Sequence, residues 1–212
     1  MKNKIISQNY KRLSVSERRF EDIYSIIFDK RHGELIMTEA LTPTRKLSCT
    51  YASIDRKINT VARGICSRLS KTDTYIGLCA ENSLEWIVLF WAILKSGNKP
   101  YLVNLRQPAS FTNRILSTLN ASCVVYYGTD VSSIDVDVFS YGELFAHGKE
   151  NEQLSLPEFS DEFALSTSGT TLEEKICIYR GENFSRQLLK TPEVADSNKA
   201  LRATYNRKLK HL

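Results

Sequence analysis

The sequence predicts an α/β protein: a doubly wound, mostly parallel sheet with flanking helices. Three observations carry this expectation. Between residues 51 and 128 the apolar pattern alternates helix and strand three times. The nine residues Trp86 to Leu94 are apolar on every side, as suits a helix buried between layers. The apolar segment 163–165 runs directly into six consecutive small residues, Ser166 to Thr171, as a strand does when it ends in a tight turn.

Each element follows from local pattern. After a polar lead-in, Phe20, Ile23, Tyr24, Ile26, Ile27 and Phe28 recur near helical spacing, giving an amphipathic helix over about 15–29. Residues 35–37 and 47–50 are short strand candidates. Ile54, Ile58, Val61, Ala62, Ile65 and Leu69 form one apolar stripe, with Thr50 or Ser53 placed to cap the helix. A buried strand follows at 75–80. Asn82 opens the next helix with Glu85 three positions on, a capping-box arrangement, and Gly97 ends it.

Residues 99–104 form a strand with Tyr101 and Val103 on one face. Pro108 suits the first turn of a helix striped by Phe111, Ile115, Leu116 and Leu119. The strand 123–127 closes at Gly128. Residues 129–160, with turn signals at Gly142, Gly148 and Pro157, read as irregular apart from a short strand at 136–139. A strand returns over 175–179, a helix starts over 183–190, and Leu201, Tyr205 and Leu209 give the tail a helical stripe with a basic outer face.

Composition narrows the function classes. The 212 residues are 42% apolar and 25% charged, which suits one or two soluble domains with a sizeable core. The net charge of +5 is unevenly spread: residues 2–19 hold six basic residues against Glu17, residues 130–162 hold nine acidic ones against Lys149, and residues 199–210 hold five basic ones and no acid. No nucleic-acid recognition motif accompanies these clusters, so they read as solvated faces. The five cysteines are odd in number, widely spaced and without a C-x-x-C pair, as expected of reduced thiols and not of a disulfide framework or zinc site. His32, His147 and His211 have no partner spacing. The basic start lacks an apolar signal core, and nine apolar residues are too few to span a bilayer. The expectation is a cytoplasmic protein with no membrane partner.

The candidate site is Glu162-Phe-Ala-Leu-Ser-Thr-Ser-Gly-Thr-Thr-Leu-Glu-Glu-Lys175. Gly169 permits a close backbone approach to a ligand. Successive N–H groups of such a turn can form an anion-binding concavity. The hydroxyls of Thr167, Ser168, Thr170 and Thr171 add donors, and Lys175 supplies a point charge suited to phosphate. An ordinary surface turn shares this composition, because Ser, Thr and Gly dominate turns for local reasons. The residues by themselves leave both readings open. No G-K-[ST] is present, so this is not a Walker loop.

Thr167-Ser-Gly-Thr-Thr171 with Lys175 in register resembles the phosphate loop of the adenylate-forming ligase superfamily, T-S-G-T-T-G-x-P-K. Leu172 and Glu174 stand where that wording has glycine and proline. Upstream, Thr50-Tyr51-Ala-Ser-Ile54 resembles the family's T-Y-x-E-L, Glu81-Asn-Ser-Leu-Glu-Trp86 its x-N-S-x-E-W, and Leu94-Lys-Ser-Gly97 with Pro100 and Pro108 its L-K-A-G…P…P. The resemblance covers about 130 residues, 47–184. It implies the N-terminal domain of an enzyme, acyl-CoA synthetase or adenylation domain, that activates a carboxylic acid with Mg-bound ATP and passes the acyl group to coenzyme A or a carrier-protein thiol. By resemblance, Thr167, Ser168, Gly169, Thr170, Thr171 and Lys175 would hold the β- and γ-phosphates.

The family's aromatic-Gly-x-Thr-Glu, Gly-Asp and hinge Gly-Arg segments are not found in the sequence. The expectation is therefore a portion incomplete for catalysis by itself, with a separate chain as one source of the remainder. A non-catalytic nucleotide-binding or interaction protein that kept the fold is the alternative. Three parts are expected: 1–46 as helix and lead-in, 47–190 as the ligase-like α/β region, and 191–212 as a basic helix. An unfinished sheet would leave Phe163, Leu165, Ile176 and Ile178 partly exposed.

Overall fold

The computed structural model describes residues 19–29, 36–40, 46–167 and 175–184. In chain order the elements are α1 (Phe20–Ile27), β1 (Ile36–Ala40), β2 (Lys46–Thr50), α2 (Tyr51–Arg68), β3 (Tyr75–Ala80), α3 (Leu84–Lys95), β4 (Lys99–Leu102), α4 (Ala109–Thr118), β5 (Cys123–Tyr127), β6 (Val138–Ser140), α5 (Tyr141–Glu150), β7 (Glu162–Thr167) and β8 (Lys175–Arg180). Six strands form one sheet in the order β6-β5-β3-β4-β7-β8. The first five run parallel, and β8 pairs antiparallel with β7. Strands β1 and β2 form a separate antiparallel pair. The expected doubly wound sheet is present, with one antiparallel strand at its edge.

Parallel strands need cover on both faces, and the sequence supplies it asymmetrically. On one face α1, α2, α3 and α5 bury the larger core, including Phe20, Ile54, Ile58, Ile65, Leu89, Ile93 and Leu94. On the other, α4 covers a smaller cluster of Tyr101, Ile115, Leu116, Cys123's neighbour Val124, and Ala164. Burial pushes the Cys79 thiol up to about 11 and that of Cys123 up to about 12, so both are neutral packing groups at ordinary pH. All five cysteines are free.

Several expectations need correction. The cap of α3 is Ser83, whose hydroxyl accepts from the Trp86 N–H at 3.1 Å, and not Asn82. Pro108 sits one position before α4, as its N-cap. Thr50 caps α2 by accepting from the Ser53 N–H at 3.2 Å, as one of the two expected candidates. The short strand expected at 136–139 lies at Val138–Ser140.

The largest correction is α5, which falls in a stretch expected to be irregular. Ser140 and Glu143 form a reciprocal capping box there, with the Ser140 N–H donating to Glu143 Oε2 at 2.7 Å and Ser140 Oγ accepting from the Glu143 N–H at 3.2 Å. Gly148 is helical and not a turn: a Cβ there would overlap the carbonyl oxygen of Thr60 in α2. Reciprocally, a Cβ on Gly64 of α2 would overlap the Leu144 carbonyl of α5. The two helices thus cross backbone to backbone.

Helix α1 is fixed by residues far along the chain. The Phe20 N–H donates to Asp161 Oδ1 at 2.7 Å, and Arg19 pairs with Glu158 at 2.8 Å. Residues 181–184 are helical, while the rest of the helix expected over 183–190 and the tail stripe of Leu201, Tyr205 and Leu209 lie outside the described residues.

Candidate functional site

Of the predicted site residues, Thr167 and Lys175 lie on β7 and β8, which pair as an antiparallel hairpin. Alternation along β7 sends Phe163 and Leu165 toward the α3 face and Ala164 and Ser166 toward the α4 face. Phe163 is buried, stacked on Tyr179 of β8 with ring centroids 5.0 Å apart and enclosed by Phe20, Phe90 and Phe184. The expected exposure of Phe163 is therefore wrong, because α1 folds back over it. Leu165 and Ile176 are half-buried, and Ile178 is 52% exposed on the α4 face, beyond the helix that covers the inner strands.

Two tyrosines pin β7 to the sheet. Near its carboxyl end the buried Tyr101 hydroxyl donates to Ser166 Oγ at 3.2 Å. At its amino end the Tyr75 hydroxyl donates to Glu162 Oε1, and Arg180 of β8 approaches the same carboxylate at 3.5 Å. Burial first, and the Glu162 carboxylate second, hold the Tyr75 phenol well above its ordinary range. Neither contact is visible in the sequence, since each joins residues more than sixty positions apart.

Thr167 is the last residue of β7 and Lys175 the first of β8, and the two are paired across the hairpin. The Thr167 hydroxyl donates to the Lys175 carbonyl at 3.4 Å. Ser168, Gly169, Thr170 and Thr171 lie outside the described residues, between this closing pair. Because β7 is parallel to β4, the pair stands at the carboxyl edge of the parallel strands, where ligands of open α/β sheets bind. Thr167 and Lys175 are exposed, and no ion pair engages the Lys175 ammonium among the described residues. The position suits an anion: a fixed backbone pair, an exposed cation and a sequence of small polar residues between them.

A cleft of about 510 Å³ opens instead at the amino end of β4 and β7; Glu162 of the predicted stretch lines it, and Thr167 and Lys175 do not. Most of its charges are already engaged: Arg19 pairs with Glu158, Lys99 with Asp73 at 2.7 Å and Arg180 with Glu162, and Asp161 accepts from the Phe20 N–H. Among the described residues no group of three or more His, Cys, Asp or Glu side chains could hold a metal ion. None of their helices is long and apolar enough to cross a membrane.

The family model of the AMP-binding enzymes matches residues 30–203. Tyrocidine synthase 1 of Brevibacillus parabrevis is 28% identical over 139 residues, covering 62% of this chain and 12% of that protein. The NpsA N-terminal subdomain of Klebsiella oxytoca, solved in complex with 3-hydroxybenzoyl-AMSN, superposes with a TM-score of 0.62 at 20% identity, over 77% of this chain and 41% of that one. The o-succinylbenzoate coenzyme A synthetase of Bacillus subtilis, solved with AMP, gives 0.51 at 15% identity over 66% and 42%. This chain thus spans less than half of these solved structures and a small fraction of the curated relative. By the family match and the shared fold, the chain belongs to the AMP-binding enzyme family, and its architecture is that of the N-terminal subdomain of adenylate-forming enzymes.

Proposed function

We propose that this chain supplies the phosphate-gripping part of an AMP-forming synthetase that activates a carboxylic acid with ATP. The observation that carries the reading is the Thr167–Lys175 pair, which closes a Ser/Thr/Gly-rich connection at the carboxyl edge of the sheet. In the reaction a carboxylate oxygen forms a bond to the α-phosphorus and the bond to pyrophosphate breaks, leaving an acyl-adenylate. The residues of this chain act on the departing end. The backbone N–H groups and hydroxyls of Thr167, Ser168, Gly169, Thr170 and Thr171 would hold the β- and γ-phosphate oxygens, and the Lys175 ammonium would offset their charge. Magnesium would enter on the phosphates, since this ion keeps much of its water and takes few protein ligands.

The acyl group then passes to a thiol, coenzyme A or that of a carrier protein. The remaining adenylating machinery lies outside this segment, in the same polypeptide or in a separate chain. A cytoplasmic setting accords with the five free thiols.

A second reading is favoured by one specific feature. Leu172, Glu173 and Glu174 replace the wording G-x-P of the related loop, and two carboxylates beside a triphosphate oppose its binding. At roughly 6 Å and an effective dielectric of about 20, each would oppose a unit charge by about 2–3 kcal/mol before solvent screening. That reading is a non-catalytic nucleotide-binding or interaction protein on the same fold.

Equilibrium binding of ATP, ADP and AMP to the purified chain tests the main proposal. Affinity falling in that order is expected, because the loop grips the outer phosphates. AMP binding as tightly as ATP would refute the assignment.

A further inference from the structure

We propose that the crevice where β3 and β5 diverge at their carboxyl ends is a second binding site, built for a small uncharged ligand that both donates and accepts hydrogen bonds, such as a carboxamide or an alcohol. The sheet order places β4 on one side of β3 and β5, followed by β6, on the other. Connections therefore leave in opposite directions between β3 and β5, and such a switch point opens a crevice outside the strand ends. A cavity of about 190 Å³ lies there, lined by Cys79 at the end of β3, by Asn104, Gln107 and Thr112 after β4, and by Asp130 and Ser133 after β5.

The cavity contains a polar group that the protein does not satisfy. Thr112 is only 3% exposed, and its hydroxyl has no hydrogen-bond partner among the described residues. Its usual helical partner, the Pro108 carbonyl, already accepts from the Phe111 N–H at 3.0 Å and the Thr112 N–H at 3.2 Å. A buried hydroxyl without a partner is costly, so a ligand atom there recovers a hydrogen bond that folding leaves unmade. The wall after β5 is held in place by Asn113, whose amide donates to the Ser133 carbonyl at 2.9 Å and whose Oδ1 accepts from the Asp135 N–H at 3.2 Å.

The lining also selects against charge. No Lys, Arg or His lines the cavity and Asp130 does, so an anion would meet a carboxylate with only the partial charge of a helix start to offset it. At the other wall α4 begins at Ala109 with no side-chain cap, and that positive helix end disfavours a cation. A carboxamide meets both ends, its carbonyl toward the start of α4 and its N–H groups toward Asp130. Neither Thr167 nor Lys175 lines this cavity, and its test uses no nucleotide.

The ¹⁵N-labelled full chain is titrated with acetamide and propionamide as neutral probes, and with acetate and methylammonium as charged ones. Saturable shifts in the amides of 109–112 and 129–134 are expected with the amides and not with the ions. Thr112→Val should weaken amide binding about three- to tenfold, the range for one neutral hydrogen bond. Thr112→Ser should retain the affinity and Thr112→Ala lose it, which keeps the test decisive if the valine variant unfolds. Absence of saturable shifts, equal binding of either ion, or unchanged affinity without the hydroxyl would overturn the site.

Discussion

The inner strands and the β7–β8 hairpin are made of similar residues but live in different surroundings. Strands β3, β4 and β5 are covered on both faces, by α2, α3 and α5 on one side and α4 on the other. One face of the hairpin packs Phe163 among Phe20, Phe90, Tyr179 and Phe184, while on the other the cover buries Ala164 of β7 and thins out across β8. There Ile178, the cross-strand partner of buried Ala164, faces solvent. The part of the sheet that carries the candidate phosphate site is therefore held by one aromatic cluster, two tyrosine hydrogen bonds and the outer edge of the α4-side cluster, while the inner strands are held by full layers. On the proposed role the hairpin can be built this way, because its geometry is needed only at one end, where Thr167 meets Lys175.

Truncating the two faces of the hairpin gives the largest contrast. Phe163→Ala should cost about 3–5 kcal/mol, as for other buried phenylalanines, whereas Ile178→Ala should stay within about 0.5 kcal/mol of the parent. Denaturant titration of both variants checks this. Equal losses would mean that both faces are covered.

The layered end is sensitive to added volume instead. Gly148→Ala or Gly64→Ala drives a Cβ into a backbone carbonyl of the facing helix and should cost about 1–3 kcal/mol. Gly142→Ala, in the same helix, has only Ser140 Oγ at 4.0 Å and should be neutral or stabilising by up to about 0.5–1 kcal/mol. Thermal melts of the three variants separate close packing from helix propensity.

Smaller again is the cap of α5. Ser140→Ala should cost about 1 kcal/mol. The Ser140 hydroxyl and N–H hold the Glu143 carboxyl below its ordinary range. A depressed carboxylate stabilises the fold above its unfolded pKa, and that contribution is lost as pH falls through the folded value. Because Glu143 is largely exposed, this pH-dependent part should be less than about 0.5 kcal/mol. The difference between parent and Ser140→Ala stability should therefore shrink as the solution is acidified below pH 5, and a difference that grows would reverse the assignment.

Legibility in the sequence followed the same division. The limits of β3 and β5 and the stripe of α2 were readable because period and burial agree there. Helix α5 was not, because Gly142 and Gly148 carry the composition of turns, and the reason for Gly148 is Thr60 on another helix. The capping box Ser140-x-x-Glu143 was the signal that could have found it. The docking of α1 through Asp161 and the pinning of β7 by Tyr75 and Tyr101 depend on residues brought together only by folding. Of the site, the hairpin and its two ends were legible as a small-residue turn followed by a lysine, and Thr167 and Lys175 are paired in the structure.

Titration of ATP into the parent chain and into Lys175→Ala tests the central claim most directly. Lys175 is exposed and outside any ion pair of the described residues, so its removal should leave the melting temperature unchanged. A charge-assisted contact is worth about 1.5–3 kcal/mol, so ATP affinity should fall about tenfold or more. ATP binding that is equally tight in parent and variant would contradict the placement of the phosphates at this hairpin.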